Sequence, residues 1–201
     1  MVPEFDTIKD KVLHTLATKI APGFTYHNVN HTIEVLASAE RIAREEGIIN
    51  DRELLLLKVA ALYHDMGFLI LYKGHEEISC QMARHDLSGL QFSREELNII
   101  CSIIMATRIP QAPKNHLEQI ICDADLDYLG RDDFECLSKK LMHEYIQQGF
   151  VSSESEWMNV QIEFIQAHRY FTKSSQRNRN PKKLKHLENL KVKNEAFTTN
   201  K

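Results

Sequence analysis

The sequence is poor in the residues that interrupt regular structure, with seven glycines and five prolines in 201 positions. This scarcity argues against an all-β fold, which needs many turns. No apolar run reaches the roughly 18 residues that a membrane-spanning helix requires. Residues 1–12 contain no apolar signal core. We therefore expect a cytoplasmic protein that has no membrane partner.

The four cysteines lack the close spacing of structural metal sites. None of them forms a CxxC or CxxH pair, and each falls in a separate stretch with apolar periodicity. We expect buried, reduced thiols at these positions. The positions are Cys80, Cys101, Cys122 and Cys136.

Helical periodicity runs through most of the chain, whereas strand alternation is almost absent. The pattern predicts an all-α bundle of about eight helices in one domain over residues 1–171. Asn50 and Ser93 are expected N-caps, because each is followed three positions later by a glutamate. The predicted helices span residues 4–20, 28–46, 51–65, 75–87, 93–106, 115–129, 132–149 and 153–171.

Residues 172–201 are polar and basic, unlike the rest of the chain. From Arg169 to the end there are ten Lys and Arg against two Glu, a balance of +8, which leaves −11 for residues 1–168. We expect a separate basic tail, partly solvated and flexible or forming a short helix from Pro181. Docking on the body or on a second subunit is the alternative, so a homodimer stays open. Binding to a nucleic acid is not expected, because the chain has no recognisable module for it.

The pair His64-Asp65 closes the long apolar run LLLLKVAALY. Ending a buried helix on two ionisable groups costs on the order of several kcal/mol unless a metal or a charge partner satisfies them. A second pair, His85-Asp86, lacks a strongly apolar approach and precedes a Ser-Gly loop. We interpret it as a surface pair at a helix terminus. The first pair is therefore the candidate metal site.

One histidine and one aspartate elsewhere in the chain can complete this site. His31 lies in a predicted amphipathic helix, and Asp125 lies in the segment CDADLDYLG. On a helix, Asp123 and Asp127 share one face and Asp125 points elsewhere. Two imidazoles and two carboxylates suit one divalent metal such as Mn, Fe, Co, Ni, Zn or Mg. Four ligands leave positions open for water and substrate, which is typical of a catalytic site.

The order His31, His64-Asp65, Asp125 resembles the H…HD…D signature of the HD-domain metal-dependent phosphohydrolases. The resemblance extends over residues 24–130 through the words YHNVNHT, AALYHDMG, GHEEIS and CDADLDYLG. It implies an HD-type helical bundle in which these four residues bind the metal. It also selects Asp125 over Asp123, which we expect to orient a ligand histidine or a metal-bound water.

The resemblance implies hydrolysis of a phosphoester, and we expect a small nucleotide substrate attacked by a metal-bound hydroxide. Asp65 is expected to serve catalysis as well as metal binding, by bridging a second metal or accepting a proton from the water. His75 is the expected general acid. The residues expected to contact the substrate are Tyr26, His27, Lys73 and Arg108.

Departures from the family pattern bear on the number of metals. Branches with two metals commonly add two histidines between the HD pair and the last aspartate. His75 is one of them, but the helix that would carry the other has Met105 and Ala106 in its place. We therefore expect one tightly bound metal and at most a weaker second one. The alternatives are a two-metal cyclic-nucleotide or dinucleotide phosphodiesterase, and a degenerate nucleotide-binding regulatory module.

Overall fold

Ten α-helices and two short 3₁₀ turns make up the part of the chain that the computed structural model describes, residues 3–199, with side chains from 5 to 195. No strand occurs within these residues, so the expected all-α class is confirmed. The helices are α1 Pro3–Lys19, α2 Val29–Glu45, α3 Asp51–Tyr63, α4 His75–Asp86, α5 Arg94–Ala106, α6 His116–Asp125, α7 Phe134–Gln147, α8 Glu154–Ala167, α9 Lys173–Asn178 and α10 Asn180–Thr199.

Helix α3 is the centre of the main core. It packs against α1, α2, α4, α5 and α6, and a helix that is apolar on all sides is stable only when it is surrounded in this way. Its N-cap is Asn50, whose side chain accepts hydrogen bonds from the backbone of Arg52 and Glu53. Five of its side chains are completely buried: Leu57, Val59, Ala60, Ala61 and Leu62. The helix therefore carries the residues that follow it into the interior.

Helices α3 and α6 both end earlier than the periodicity predicts. Each gives way to a 3₁₀ turn, over Met66–Leu69 after α3 and Asp127–Gly130 after α6. The first turn packs closely on the start of α4, because a Cβ on Gly67 would lie 1.9 Å from the backbone oxygen of His75. The chain thus turns sharply beside each of the two aspartates expected to bind metal.

The segment after α8 differs from the separate, partly solvated tail that we expected. Helices α9 and α10 occupy residues 173–199, and α10 packs along α8 and the second 3₁₀ turn. Leu187 and Leu190 pack against a second apolar cluster that contains Tyr128 and Trp157. The two segments also approach closely at Gly130, because a Cβ there would lie 2.4 Å from the backbone oxygen of Arg179.

Ion pairs also join the C-terminal segment to the body. The basic charge of this segment is therefore used, at least in part, against acidic groups of the same chain. Three pairs show this, Arg179 with Asp127 at 2.8 Å, Lys182 with Asp132 at 2.5 Å and Lys193 with Glu135 at 2.7 Å.

Two further expectations can be compared with the structure. Cys80, Cys101 and Cys122 are buried free thiols, but Cys136 is exposed on α7, which differs from the prediction. Among the helices described here, none combines the length and the apolar character needed to cross a membrane.

Candidate metal centre

The four predicted ligands lie near one another inside the molecule, and the ligand atoms of His31, His64 and Asp65 are all within 4.8 Å of one another. His31 comes from α2, His64 and Asp65 follow α3, and Asp125 is the last residue of α6. The Nε2 atoms of His31 and His64 lie 3.3 Å apart. Asp65 Oδ2 lies 3.3 and 3.2 Å from these two nitrogens. Asp125 Oδ1 lies 3.2 and 3.5 Å from them.

Hydrogen bonds fix the orientation of His64. Its Nδ1 lies 2.8 Å from the backbone oxygen of Ala61. Because a carbonyl oxygen only accepts, Nδ1 carries the proton and Nε2 is free to bind a metal. Ser79 Oγ donates to the backbone oxygen of His64 at 2.7 Å and accepts from the nitrogen of Gly67 at 2.8 Å. The backbone around the pair is thus held on both sides.

The donor set fits a divalent metal. Asp65 Oδ2 is buried and makes no well-formed hydrogen bond within the described residues, although the Nε2 atoms of His31 and His64 lie 3.3 and 3.2 Å away. A buried carboxylate oxygen without a good hydrogen bond is costly. The two histidine nitrogens that face each other need an electrophile between them. Bonds of about 2.1 Å place neighbouring ligands roughly 3.0–3.4 Å apart. The five separations given above run from 3.2 to 3.5 Å.

The charges of the cluster reinforce one another. Burial lowers the pKa of His31, but the nearby carboxylates of Asp125 and Asp65 outweigh it and raise the pKa to about 9. Burial also lowers the pKa of His64, but the charge of Asp65 and the contact with Asp125 raise it. Burial raises the pKa values of Asp65 and Asp125, yet the histidines hold both well below the ordinary carboxyl range. Protons and a metal therefore compete for the same nitrogens.

A cavity of about 800 Å³ opens onto this cluster, with Asp65 and Asp125 in its wall. The five residues expected to serve substrate or catalysis all line it, namely Tyr26, His27, Lys73, His75 and Arg108. A concave site of this size with a few polar groups is typical of small-molecule binding. Eight aromatic side chains contribute to its walls: Tyr26, Phe68, Tyr72, Tyr128, Tyr145, Phe150, Trp157 and Phe164.

His75 lies where the sequence predicts, beside Asp65. Its Nδ1 donates to the backbone oxygen of Tyr72 at 2.9 Å, and its ring stacks on Phe68 with centroids 3.8 Å apart. Its Nε2 faces Asp65 Oδ1 at 3.5 Å. Burial lowers the pKa of His75, but the contact with Asp65 outweighs it and the pKa is raised.

The two cations of the cavity differ in their surroundings. Arg108 forms ion pairs with Glu77 and, at 3.4 Å, with Glu76. Its charge is therefore already balanced. Lys73 is exposed where it lines the cavity, so its ammonium group is accessible to an anion that enters.

Asp123 has partners other than the ones expected from the sequence. Its Oδ1 accepts from the backbone nitrogen of Phe171 at 2.8 Å, and its Oδ2 accepts from the nitrogen and hydroxyl of Thr172 at 2.8 and 2.6 Å. Both of its carboxylate oxygens are thus occupied by Phe171 and Thr172 rather than by His31 or His64. We therefore correct its role, because Asp123 lies on the helix face away from Asp125 and holds the start of the C-terminal segment.

Glu144 on α7 is a site residue that the sequence did not single out. Its side chain is completely buried and in close contact with His27 Nδ1. It accepts from the backbone nitrogens of Tyr26 at 3.0 Å and His27 at 3.1 Å, and from the hydroxyl of Tyr72 at 3.3 Å. Burial raises the pKa of Glu144, but the hydrogen bonds from His27 hold it below its ordinary value. Glu144 therefore orients the residues that precede His31.

Comparison with known proteins agrees with this geometry. The model of the HD domain family matches residues 28–127, a stretch that contains all four candidate ligands. The chain is an HD-domain protein. Domains of this family are generally metal-dependent hydrolases that bind divalent metals. Neither the curated proteins nor the solved structures gave a match. Helices α7 and α8, which build one side of the cavity, lie outside the matched residues.

Proposed function

We propose that this HD-domain protein hydrolyses a phosphoester of a nucleotide, with one divalent metal held by His31, His64, Asp65 and Asp125. The observation that supports the proposal is the buried Asp65 Oδ2, which makes no well-formed hydrogen bond and faces the two histidine nitrogens beside the cavity that Asp65 lines. A bound metal supplies a water of lowered pKa and neutralises charge on the phosphate.

The residues around the cluster divide the remaining work. In hydrolysis the water oxygen forms a new bond to phosphorus, the bond from phosphorus to the organic oxygen breaks, and that oxygen takes a proton. We assign the proton donor to His75, because Tyr72 and Phe68 hold its ring with Nε2 toward Asp65 and the cavity. A positioned acid of this kind contributes about 10²–10⁴-fold to the rate.

Binding of the phosphate is assigned to the cavity's cations and to His27. Lys73 is accessible, and Arg108 would have to exchange a glutamate for the phosphate. His27 is fixed by Glu144 and packs against Phe68 with ring centroids 4.5 Å apart. A rigid imidazole at this place can contact the substrate through Nε2 without first losing side-chain freedom.

One observation favours a two-metal phosphodiesterase as the second candidate. Asp65 presents Oδ2 to the histidine cluster and Oδ1 to His75, so its carboxylate could bridge two metals. The place of the second family histidine holds Met105 and Ala106, which offer no such ligand. The number of metals bound per chain separates the two candidates.

The experiment is a substrate panel with a matched pair of variants. The dialysed chain is supplied with Mn²⁺, Co²⁺, Zn²⁺ or Mg²⁺ and assayed on nucleoside monophosphates, cyclic nucleotides and dinucleotides. Asp125→Asn should abolish turnover, whereas Asp132→Asn should not, because Asp132 is exposed and pairs with Lys182. Unchanged turnover in Asp125→Asn would overturn the proposal. Tight nucleotide binding without turnover in the parent would instead support the regulatory module.

A further inference from the structure

One part of the cavity wall is mainly aromatic, and we call it the aromatic chamber; its residues are Tyr72, Tyr145, Phe150, Trp157, Val160 and Phe164. Its rings contact one another, with centroid distances of 4.8 Å for Tyr72 and Phe150 and 5.0 Å for Tyr145 and Trp157. Most of this wall comes from α7, α8 and the loop between them. Helices α7 and α8 and the loop between them lie outside residues 28–127, so the family match does not account for this part of the wall.

Two apolar members of the chamber remain exposed. Phe150 is 52% exposed and Val160 is 39% exposed, although both line a concave surface. Apolar surface that is concave, contiguous and left in contact with water marks a binding site. The chamber belongs to the same cavity as Asp65 and Asp125. A ligand that binds at these two aspartates would therefore extend its remaining part into the chamber.

The charges of the cavity limit what that molecule can be. Four carboxylates line it, those of Asp65, Glu76, Glu77 and Asp125, against the two permanent cations of Lys73 and Arg108. Arg108 is already paired with glutamates. One divalent metal would bring these charges to balance, which leaves no excess of positive charge to hold a chain of phosphates. A single phosphate at the cluster needs no such excess.

We propose that the aromatic chamber is a subsite for a large, uncharged, ring-containing group esterified to a single phosphate. The inference rests on the proposed function, in which the phosphate lies at the metal cluster. A cavity of about 800 Å³ is within the range that holds ligands the size of drugs, far more than a phosphate alone needs. Ring stacking on Tyr72, Tyr145 and Phe150 would give the affinity.

The first test measures binding without turnover. Trp157 is the only tryptophan in the chain and lines the chamber, so its fluorescence reports on occupancy. Benzylphosphonate should bind about tenfold more tightly than methylphosphonate, because burying the ring gains free energy. Phe150→Ala should remove most of that difference. Ile49→Ala is the control, since Ile49 is 93% exposed and does not line the cavity.

The second test uses two substrates with similar leaving groups, benzyl phosphate and methyl phosphate. Benzyl phosphate should have the higher kcat/KM, again by about tenfold, and adenosine monophosphate should be preferred over the triphosphate. Equal affinities of the two phosphonates, or no effect of Phe150→Ala, would contradict the assignment of the chamber as a subsite even if both esters were hydrolysed. A preserved preference for benzylphosphonate with no hydrolysis of any ester would support the chamber and reject the proposed function.

Discussion

The molecule contains the dipeptide His-Asp twice, and the two copies have opposite surroundings. His64-Asp65 follows the fully buried helix α3, and the side chain of His64 is 0% exposed. His85-Asp86 ends helix α4, and the side chain of His85 is 90% exposed. The dipeptide itself does not make a site. What matters is that His31 and Asp125 lie opposite the first copy.

The state of the carboxylate oxygens separates the two copies further. Asp86 uses both of its oxygens, one with Lys11 at 2.9 Å and the other with the hydroxyl of Tyr63 at 3.2 Å. Asp65 has one buried oxygen with no well-formed hydrogen bond. Unmet bonding capacity in the interior indicates a missing partner. The comparison therefore favours His64-Asp65 as the metal-binding pair, because only there does a buried carboxylate oxygen lack a well-formed hydrogen bond.

The largest expected difference is between the isosteric variants Asp65→Asn and Asp86→Asn. Asp65→Asn should reduce kcat/KM by about 10³-fold or more, because it removes a charge and a ligand oxygen from the cluster. Asp86→Asn should leave kcat/KM within about twofold and lower the free energy of unfolding by about 1 kcal/mol at most. Steady-state kinetics and urea denaturation give both values. Equal activities would contradict the distinction between the pairs.

The variant His75→Ala tests whether the buried pair serves one metal or two. As a proton donor, His75 should contribute about 100-fold to kcat, and its loss should leave the metal content unchanged. Activity on a substrate whose leaving oxygen needs no proton, such as 4-nitrophenyl phosphate, should fall much less. A loss of one metal equivalent together with the activity would instead favour the two-metal phosphodiesterase.

Asp123 and Asp125 extend the comparison to neighbours two positions apart. Asp123→Ala should lower the free energy of unfolding by about 1–3 kcal/mol, because the nitrogens of Phe171 and Thr172 lose their acceptor. Metal binding and turnover of the folded protein should persist. Thermal unfolding with and without metal measures both effects. Loss of the metal at unchanged stability would restore Asp123 to the role first expected for it.

The smallest expected effect is a change of stability with pH. The pKa of His31 is raised from 6.5 to about 9, so with a chelator present its stabilising effect is complete below pH 6.5 and is lost as the pH rises through about 9. Metal affinity should instead increase as the pH rises, because the imidazoles must release their protons before they bind a metal. Added metal should therefore raise Tm more at pH 9 than at pH 6.5. The same rise in Tm at pH 9 and at pH 6.5 would contradict the proposed competition between protons and metal for the histidines.

The sequence predicts the candidate ligands from two kinds of signal, an apolar helical run that ends on His64-Asp65 and a family resemblance that selects Asp125. His64-Asp65 conflicts visibly with the run before it, and the ordered set with His31 and Asp125 gives the family. Helix geometry predicts one face for Asp123 and Asp127, but α6 ends at Asp125 and Asp127 lies in the 3₁₀ turn that follows. Both aspartates nevertheless bind the C-terminal segment, through Thr172 and Arg179.

The rest of the site depends on contacts between distant segments. Glu144 lies in an ordinary amphipathic stretch, where a glutamate predicts solvent exposure, and only the approach of residues 26 and 27 buries it. The aromatic chamber combines the loop before α4 with α7 and α8. The polar composition of α10 does not by itself indicate that this helix packs on the body, because its contacts there include salt bridges as well as leucines.

The most direct test of the account is the metal content of the purified chain after dialysis, measured by elemental analysis beside Asp65→Asn and Asp86→Asn. The account predicts about one equivalent of divalent metal per chain in the parent and in Asp86→Asn, and close to none in Asp65→Asn. A parent without metal after growth and dialysis with added metal, or an Asp65→Asn variant that keeps its full equivalent, would contradict it.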